Sequence, residues 1–163
     1  MSIKPSNRLT SIVSFLIRLN PELSAIKLKC YLYILNIHYL IEYGELAFPD
    51  KMYVGLFKIS FSQCDDFIDD WDIKNYFNDT LVYHIYEIQK YIHCTDYKET
   101  EDKDLIYTCK LINEGLKNIN SLTLWAHIIN KILKPKTVNL QEIDWKVCKK
   151  VHEDIINKTG KII

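Results

Sequence analysis

The apolar positions between Ser24 and Gly44 predict a long helix at the centre of the fold. Leucine and tyrosine side chains recur there at three- and four-residue spacing, the period of a helix with a broad apolar face. Isoleucines at other phases put apolar groups on the opposite side, so we expect this helix to be buried nearly all round. Ser24 is a suitable N-cap and Gly44 a suitable C-terminal stop.

Shorter helical patterns flank this central helix. Asn20-Pro21 ends the first of them, because proline disfavours helical backbone at the preceding residue. The segments with helical spacing are 7–19, 63–72, 80–92, 105–116 and 122–133. Near the end of the sequence, Asn139 and Glu142 have the spacing of a capping box. A stripe at four-residue spacing predicts that the following helix buries Ile143, Val147, Val151 and Ile155.

The segment 52–59 has no helical period and is expected to form a short strand or irregular structure. Gly55 inside it indicates a bulge or a close approach of backbone to backbone. The pattern as a whole predicts a mainly α, compact helical bundle around the buried central helix. We expect one domain over 1–163, with a loose N-terminal tail at 1–6.

Composition supports this prediction. Of the 163 residues, 48% are apolar and 26% are charged, which is typical of a globular domain, and there are only four glycines and four prolines. The five cysteines are odd in number and contain no CxxC pair. Because neither a secretory signal nor a run of 18 apolar residues is visible, we expect a cytoplasmic protein with reduced thiols and no membrane span.

The formal charge is zero, but the charges are segregated along the chain. Residues 59–104 hold twelve acidic and four basic side chains, whereas both flanks are net basic. The densest acidic run consists of Asp65, Asp66, Asp69, Asp70 and Asp72. These carboxylates could form a solvated face, a face for a basic protein partner, or part of a divalent-cation site. The run lacks the spaced oxygens and central glycine of a calcium loop.

Two further constellations suggest alternative functions. Cys148 and His152 are four residues apart and could form half of a zinc site, or a nucleophile pair, if Cys109 or His127 lay nearby. This would make the protein a metal- or thiol-dependent enzyme. The lysines of the last predicted helix, Lys146, Lys149 and Lys150, would suit a DNA-binding regulator. Their segment lacks arginine and the whole chain is neutral, which argues against nucleic acid.

One stretch carries a family resemblance. Ile26-Lys-Leu-Lys-Cys-Tyr-Leu-Tyr is followed by His38-Tyr-Leu, then Gly44, then Leu46-Ala-Phe48. Together with Ser121 and Leu124-Trp125, this arrangement resembles the Panacea domain, the SocA-like antitoxin family, over about residues 11–55 and 101–127. The chain has Cys30 where the family commonly has lysine, and Leu56-Phe57 where the family has Pro-Val.

The resemblance implies a protein without catalytic residues, cofactor or metal. It would neutralise a toxin, or a defence or host protein, by direct binding, as an antitoxin or a phage or viral anti-defence inhibitor. Tyr53 and Gly55 are the first candidate contacts. The acidic run at 65–72 is the second candidate surface, because many toxins act on nucleic acid and are basic.

Overall fold

The computed structural model describes residues 7–62 and 100–163. The helices are α1 (Asn7–Leu19), α2 (Ala25–Tyr43), α3 (Lys103–Leu116), α4 (Ser121–His127) and α5 (Trp145–Thr159). Helix α4 continues directly into a π-helix, Ile128–Leu133. The strands are β1 (Met52–Gly55), β2 (Lys58–Phe61) and β3 (Gln141–Glu142). The prediction of a mainly α fold is therefore confirmed.

Helix α2 is the buried axis that the apolar pattern predicts. Ser24 is its N-cap and accepts a hydrogen bond from the Lys27 backbone N–H at 3.1 Å. Gly44 ends it in the left-handed conformation, with φ of 77°. Every residue from 31 to 37 is buried, since α3, α4 and α5 all pack against this helix. Helix α1 packs against α3.

Buried polar side chains of α2 join it to its neighbours. The Lys27 ammonium donates to the carbonyls of Lys117 and Ile119, at 3.0 and 2.6 Å, just beyond the end of α3. Asn36 forms two hydrogen bonds with the backbone of Phe48, one through its amide oxygen and one through its amide nitrogen. The polar groups of Lys27 and Asn36 are therefore partnered although they are buried, as the stability of a buried polar group requires.

The strands in the described part of the chain form a small antiparallel sheet in the order β2-β1-β3. Leu56 and Phe57 form the two-residue turn between β1 and β2, and Val54 lies opposite Ile59. On the other side of β1, Tyr53 lies opposite Glu142. The segment 52–59 is therefore mostly a β-hairpin. Of the two structures expected from the sequence, a short strand or an irregular segment, the strand is the correct one.

One expectation for the end of the chain is wrong, and a second holds only in part. Residues Gln141 and Glu142 pair with β1, so α5 begins not at the predicted capping box but at Trp145, where the Asp144 carboxylate accepts hydrogen bonds from the first turn. Of the predicted stripe, Ile143, Val151 and Ile155 are half-buried and pack against the core, whereas Val147 is exposed. The buried residues of α5 are Cys148 and His152. The tail predicted at 1–6 and the helices predicted at 63–72 and 80–92 lie outside the described residues.

Candidate protein-interaction surface

Strand β1, the segment after the π-helix and helix α5 enclose a groove of about 490 Å³. Apolar side chains from three parts of the chain line it: Val54, Ile132, Leu133, Ile143, Val147 and Val151. We call this the edge groove. An apolar lining is a property of surfaces that receive side chains of another molecule.

Three exposed apolar side chains belong to the part of the chain that contributes to the edge groove. Val138, Leu140 and Val147 are 57%, 40% and 61% exposed. Val147 lines the groove, and the residues on either side of Val138 and Leu140 in the sequence, 132–136 and 141–144, line it as well. Single exposed apolar residues are common on any protein, but one that lines an apolar groove, as Val147 does, is a candidate contact for another molecule.

The lack of a side chain at Gly55 allows the segment 137–139 to lie against the end of β1. A Cβ atom at Gly55 would lie 2.6 Å from the Val138 carbonyl oxygen, closer than side-chain carbons approach such an oxygen. The Leu56 backbone N–H donates to the Thr137 carbonyl at 3.0 Å. The close backbone approach expected at Gly55 is thus confirmed. It places the two segments that carry Val54 and Val138 side by side.

Helix α5 is fixed to the rest of the fold at its first residue. The Trp145 indole N–H donates to the Asp50 carbonyl at 3.0 Å, and its ring stacks on Tyr33 with the centroids 5.9 Å apart. Asp144 accepts hydrogen bonds from the Lys146 and Val147 backbone N–H groups. The wall of the edge groove formed by α5 therefore has a defined position relative to β1.

Charged side chains of both signs line the edge groove. They are Lys134, Lys136, Glu142 and Asp144, and Lys134 ends the π-helix with φ of 49°. A neighbouring groove on the other side of α5 is lined by Lys146, Lys149 and Lys150 together with Glu153 and Asp154. The surface thus combines aliphatic side chains with ammonium and carboxylate groups.

His152 is fully buried and uses both ring nitrogens in hydrogen bonds. Nδ1 lies 2.6 Å from the Ile162 carbonyl and Nε2 lies 2.8 Å from the Tyr33 hydroxyl. Because a carbonyl only accepts, Nδ1 carries the proton in neutral His152, and Nε2 accepts from Tyr33. Burial lowers the pKa of His152. This histidine therefore joins α5, α2 and the end of the chain.

The cysteines of the described residues are suited to packing. Burial raises the pKa of Cys30 and of Cys109 to about 12, and that of Cys148 to about 11. A thiol with such a pKa is protonated at neutral pH and is a poor nucleophile or metal ligand. The described residues contain no group of three or more histidine, cysteine, aspartate or glutamate side chains placed to hold a metal ion.

The structure brings some candidate site residues together and leaves others apart. Tyr53 and Gly55 both lie on β1, which also carries Val54 into the edge groove. Cys148 and His152 are both buried on α5, whereas His127 is exposed. The acidic run Asp65, Asp66, Asp69, Asp70 and Asp72 lies outside the described residues, so its roles as a binding face or as a cation site stay predictions.

The sequence pattern did not single out Val138 and Leu140 as surface residues. A partial signal was available, since these residues alternate with polar ones in a segment without helical period between Pro135 and Asp144. The four-residue spacing of the stripe predicts that Val147 is buried. Only the elements packed against α5 show which of its side chains are exposed.

Comparison with known proteins found no relative of this chain. No protein-family model matches it. No curated protein and no solved structure matches it either. Among the helices of the described residues, none has the length and apolar content needed to cross a bilayer.

Proposed function

We propose that this protein is a non-enzymatic inhibitor that neutralises a partner protein by direct binding, as antitoxins and phage or viral anti-defence proteins do. The resemblance of 11–55 and 101–127 to the Panacea domain is a prediction that points the same way. We place the activity in the cytoplasm, in keeping with the free, buried thiols of Cys30, Cys109 and Cys148.

The observation that carries this proposal is the edge groove with its exposed apolar rim. Val138, Leu140 and Val147 would each lose unfavourable exposure to water on contact with a partner. Burial of apolar area contributes about 25 cal/mol per Å², so a few such side chains add several kcal/mol to an interface. Tyr53 and Gly55 belong to the same part of the fold, since β1 forms one wall of the groove.

The buried cysteine and histidine side chains of the described residues favour a binding function over a catalytic one. A thiol-dependent mechanism needs a cysteine that ionises readily, and the pKa of each described thiol is raised by burial. A zinc site at His152 would require one of its nitrogens, and both are held by Tyr33 and Ile162. The raised thiol pKa values and the two hydrogen bonds of His152 support a structural role for Cys109, Cys148 and His152, the residues that a catalytic function would use.

A growth assay tests the proposal. The wild-type chain would be used to capture proteins from the source cell, and each captured protein would be expressed alone and together with the wild-type chain. We expect one captured protein to inhibit growth alone and to be neutralised by co-expression. A chain carrying Val138→Ser and Val147→Ser should fail to neutralise it. A matched variant with Tyr107→Ser and Leu111→Ser, both exposed on α3, should neutralise it normally.

Two results would contradict the proposal. In the first, no captured protein has an activity that the wild-type chain suppresses. In the second, the chain turns over a substrate or loses its effect when Cys148→Ser or His127→Gln is introduced while the fold stays intact. The acidic run at 65–72 is tested in the same assay by charge reversal at Asp66, Asp69 and Asp70. Unchanged neutralisation by that variant would exclude the run as a face for a basic partner.

A further inference from the structure

A second cavity, separate from the edge groove, lies between α2, α3 and the last turn of α5. It has a volume of about 620 Å³ and shares none of its described lining residues with the edge groove. All the described apolar side chains that line it are isoleucine or leucine, and Ile34, Ile112 and Leu116 among them are buried. We call this the aliphatic cavity. Small-molecule sites in proteins are mostly apolar and have volumes of about 300–1,000 Å³.

The segment 160–163 forms one wall of the aliphatic cavity. Gly160 ends α5 in the left-handed conformation, with φ of 73°. The His152 Nδ1–H donates to the Ile162 carbonyl at 2.6 Å, and Ile162 and Ile163 pack against the hydrophobic core while they line the cavity. Because this hydrogen bond and these contacts fix the segment, the cavity is enclosed by three helices and by a wall of defined position.

The glycine at position 115, which also lines the aliphatic cavity, is not required by the packing of α3. Gly115 lies inside the helix, and its φ is not positive. Nothing in the described residues beyond its own helix and chain neighbours lies within 4 Å of a Cβ added there. Glycine inside a helix is destabilising relative to alanine. A residue that breaks a local preference without a compensating contact is expected at functional sites, and here it keeps the wall of the cavity free of a side chain.

His38 provides a hydrogen-bonding group at the aliphatic cavity. It is half-buried, and no described residue forms a hydrogen bond with its imidazole. Burial lowers the pKa of His38, so at pH 7 the ring is neutral and has one donor and one acceptor nitrogen. Glu42 and Lys161 are exposed and also line the cavity, and their opposite charges favour neither an anionic nor a cationic ligand.

We propose that the aliphatic cavity binds a neutral aliphatic small molecule that carries a single hydroxyl or carbonyl oxygen. Its hydrocarbon part contacts the isoleucine and leucine side chains, and its oxygen forms a hydrogen bond with His38. An aromatic ligand fits less well, because none of the described lining residues is an aromatic ring on which it could stack. This site is independent of the proposed function, which is carried by the edge groove.

Methyl NMR of the full-length chain, labelled with carbon-13 at the isoleucine δ1 methyl groups, provides the test, with octan-1-ol as the probe. We expect saturable chemical-shift changes at Ile34, Ile112 and Ile156, which line the cavity. No change is expected at Ile12 and Ile59, which are buried on α1 and β2. Octanoate and octylammonium have the same chain length with a charged end. Each should bind at least about tenfold more weakly, because an ion loses its hydration on entering an apolar site.

Two variants place the probe in the aliphatic cavity. Gly115→Phe adds a ring to the cavity wall and should weaken octan-1-ol binding by about tenfold or more, which is about 1.4 kcal/mol. Lys110→Phe adds the same ring at an exposed position of α3 that does not line the cavity, and should leave binding within about twofold. His38→Leu keeps an apolar side chain but removes the hydrogen bond, and should weaken binding by about two- to tenfold.

The absence of saturable shifts with octan-1-ol would overturn the inference. So would equal shifts at Ile12 and Ile59, which would indicate unspecific partition into the core. Binding by Gly115→Phe and His38→Leu as tight as by the wild type would exclude the cavity as the site. Octanoate or octylammonium bound as tightly as octan-1-ol would show that the preference for a neutral ligand is wrong.

Discussion

The Tyr33 hydroxyl donates a hydrogen bond to Nε2 of His152 at 2.8 Å, and this contact joins the central helix α2 to α5. Both side chains are fully buried. Tyr33 also stacks on Trp145, so one residue of α2 fixes two positions of the helix that forms a wall of the edge groove. The position of the candidate surface thus depends on a buried polar contact beneath it.

Replacing Tyr33 with phenylalanine should destabilise the protein. The ring would keep its stacking on Trp145, but His152 Nε2 would lose its donor in a site without water access. Leaving one buried polar group unsatisfied costs about 1–3 kcal/mol. Urea denaturation of the variant measures this loss, with Tyr107→Phe on the exposed face of α3 as the control. Equal midpoints for both variants would show that the contact contributes nothing.

Stability should fall as the pH is lowered from 7 to 5. Burial lowers the pKa of His152 and of His38 below the ordinary value of 6.5, so the unfolded chain binds protons first as the pH falls. The stabilisation from keeping these histidines neutral is complete above about pH 6.5 and is lost below it. Thermal or urea midpoints over this range measure the loss. His152→Gln should flatten the dependence, and a variant as steep as the wild type would contradict this assignment.

Gly55→Ala and Gly115→Ala should shift stability in opposite directions. The new Cβ at position 55 would meet the Val138 carbonyl, which forces the backbone apart and costs about 1–3 kcal/mol. At Gly115, inside α3, nothing beyond the neighbouring residues and backbone of the helix itself lies within 4 Å of the added carbon, so alanine should stabilise the helix by about 0.5–1 kcal/mol. Denaturation midpoints measure both effects. A Gly55→Ala variant as stable as the wild type would show that the two segments do not touch.

The described thiols should resist alkylation in the folded protein. In a chain with Cys64→Ser and Cys94→Ser, only Cys30, Cys109 and Cys148 remain, with pKa values raised to about 12, 12 and 11. We expect iodoacetamide at pH 8 to modify them only as fast as the protein unfolds, and mass spectrometry measures the rate. Rapid modification of Cys148 in the native protein would reopen the thiol-dependent mechanism.

Much of the fold could be predicted from the sequence because local signals agree with tertiary packing. The Ser24 cap, the Gly44 stop and the apolar content between them define α2 within one residue of its observed bounds. Asn20-Pro21 likewise marks the end of α1. These signals depend on backbone groups and side chains a few residues apart, which a single sequence contains.

The candidate surface could be predicted only in part because it depends on contacts between distant residues. The glycine at 55 indicated a close approach, but its partner, Val138, is 83 residues away. At the start of α5, Gln141 and Glu142 are drawn into pairing with β1, which moves the helix start to the Asp144 cap. The packing of α5 against α2 places Cys148 and His152 in the core and leaves Val147 in solvent.

The most direct test of the central claim is the dissociation constant of the neutralised partner for surface variants of this chain. Isothermal titration would compare the wild type, Val138→Ser with Val147→Ser, and Tyr107→Ser with Leu111→Ser. We predict that the first variant weakens binding by about a hundredfold, roughly 2.7 kcal/mol, while the second stays within about twofold of the wild type. Equal affinity of the wild type and the Val138 and Val147 variant would contradict the assignment of the edge groove as the binding site.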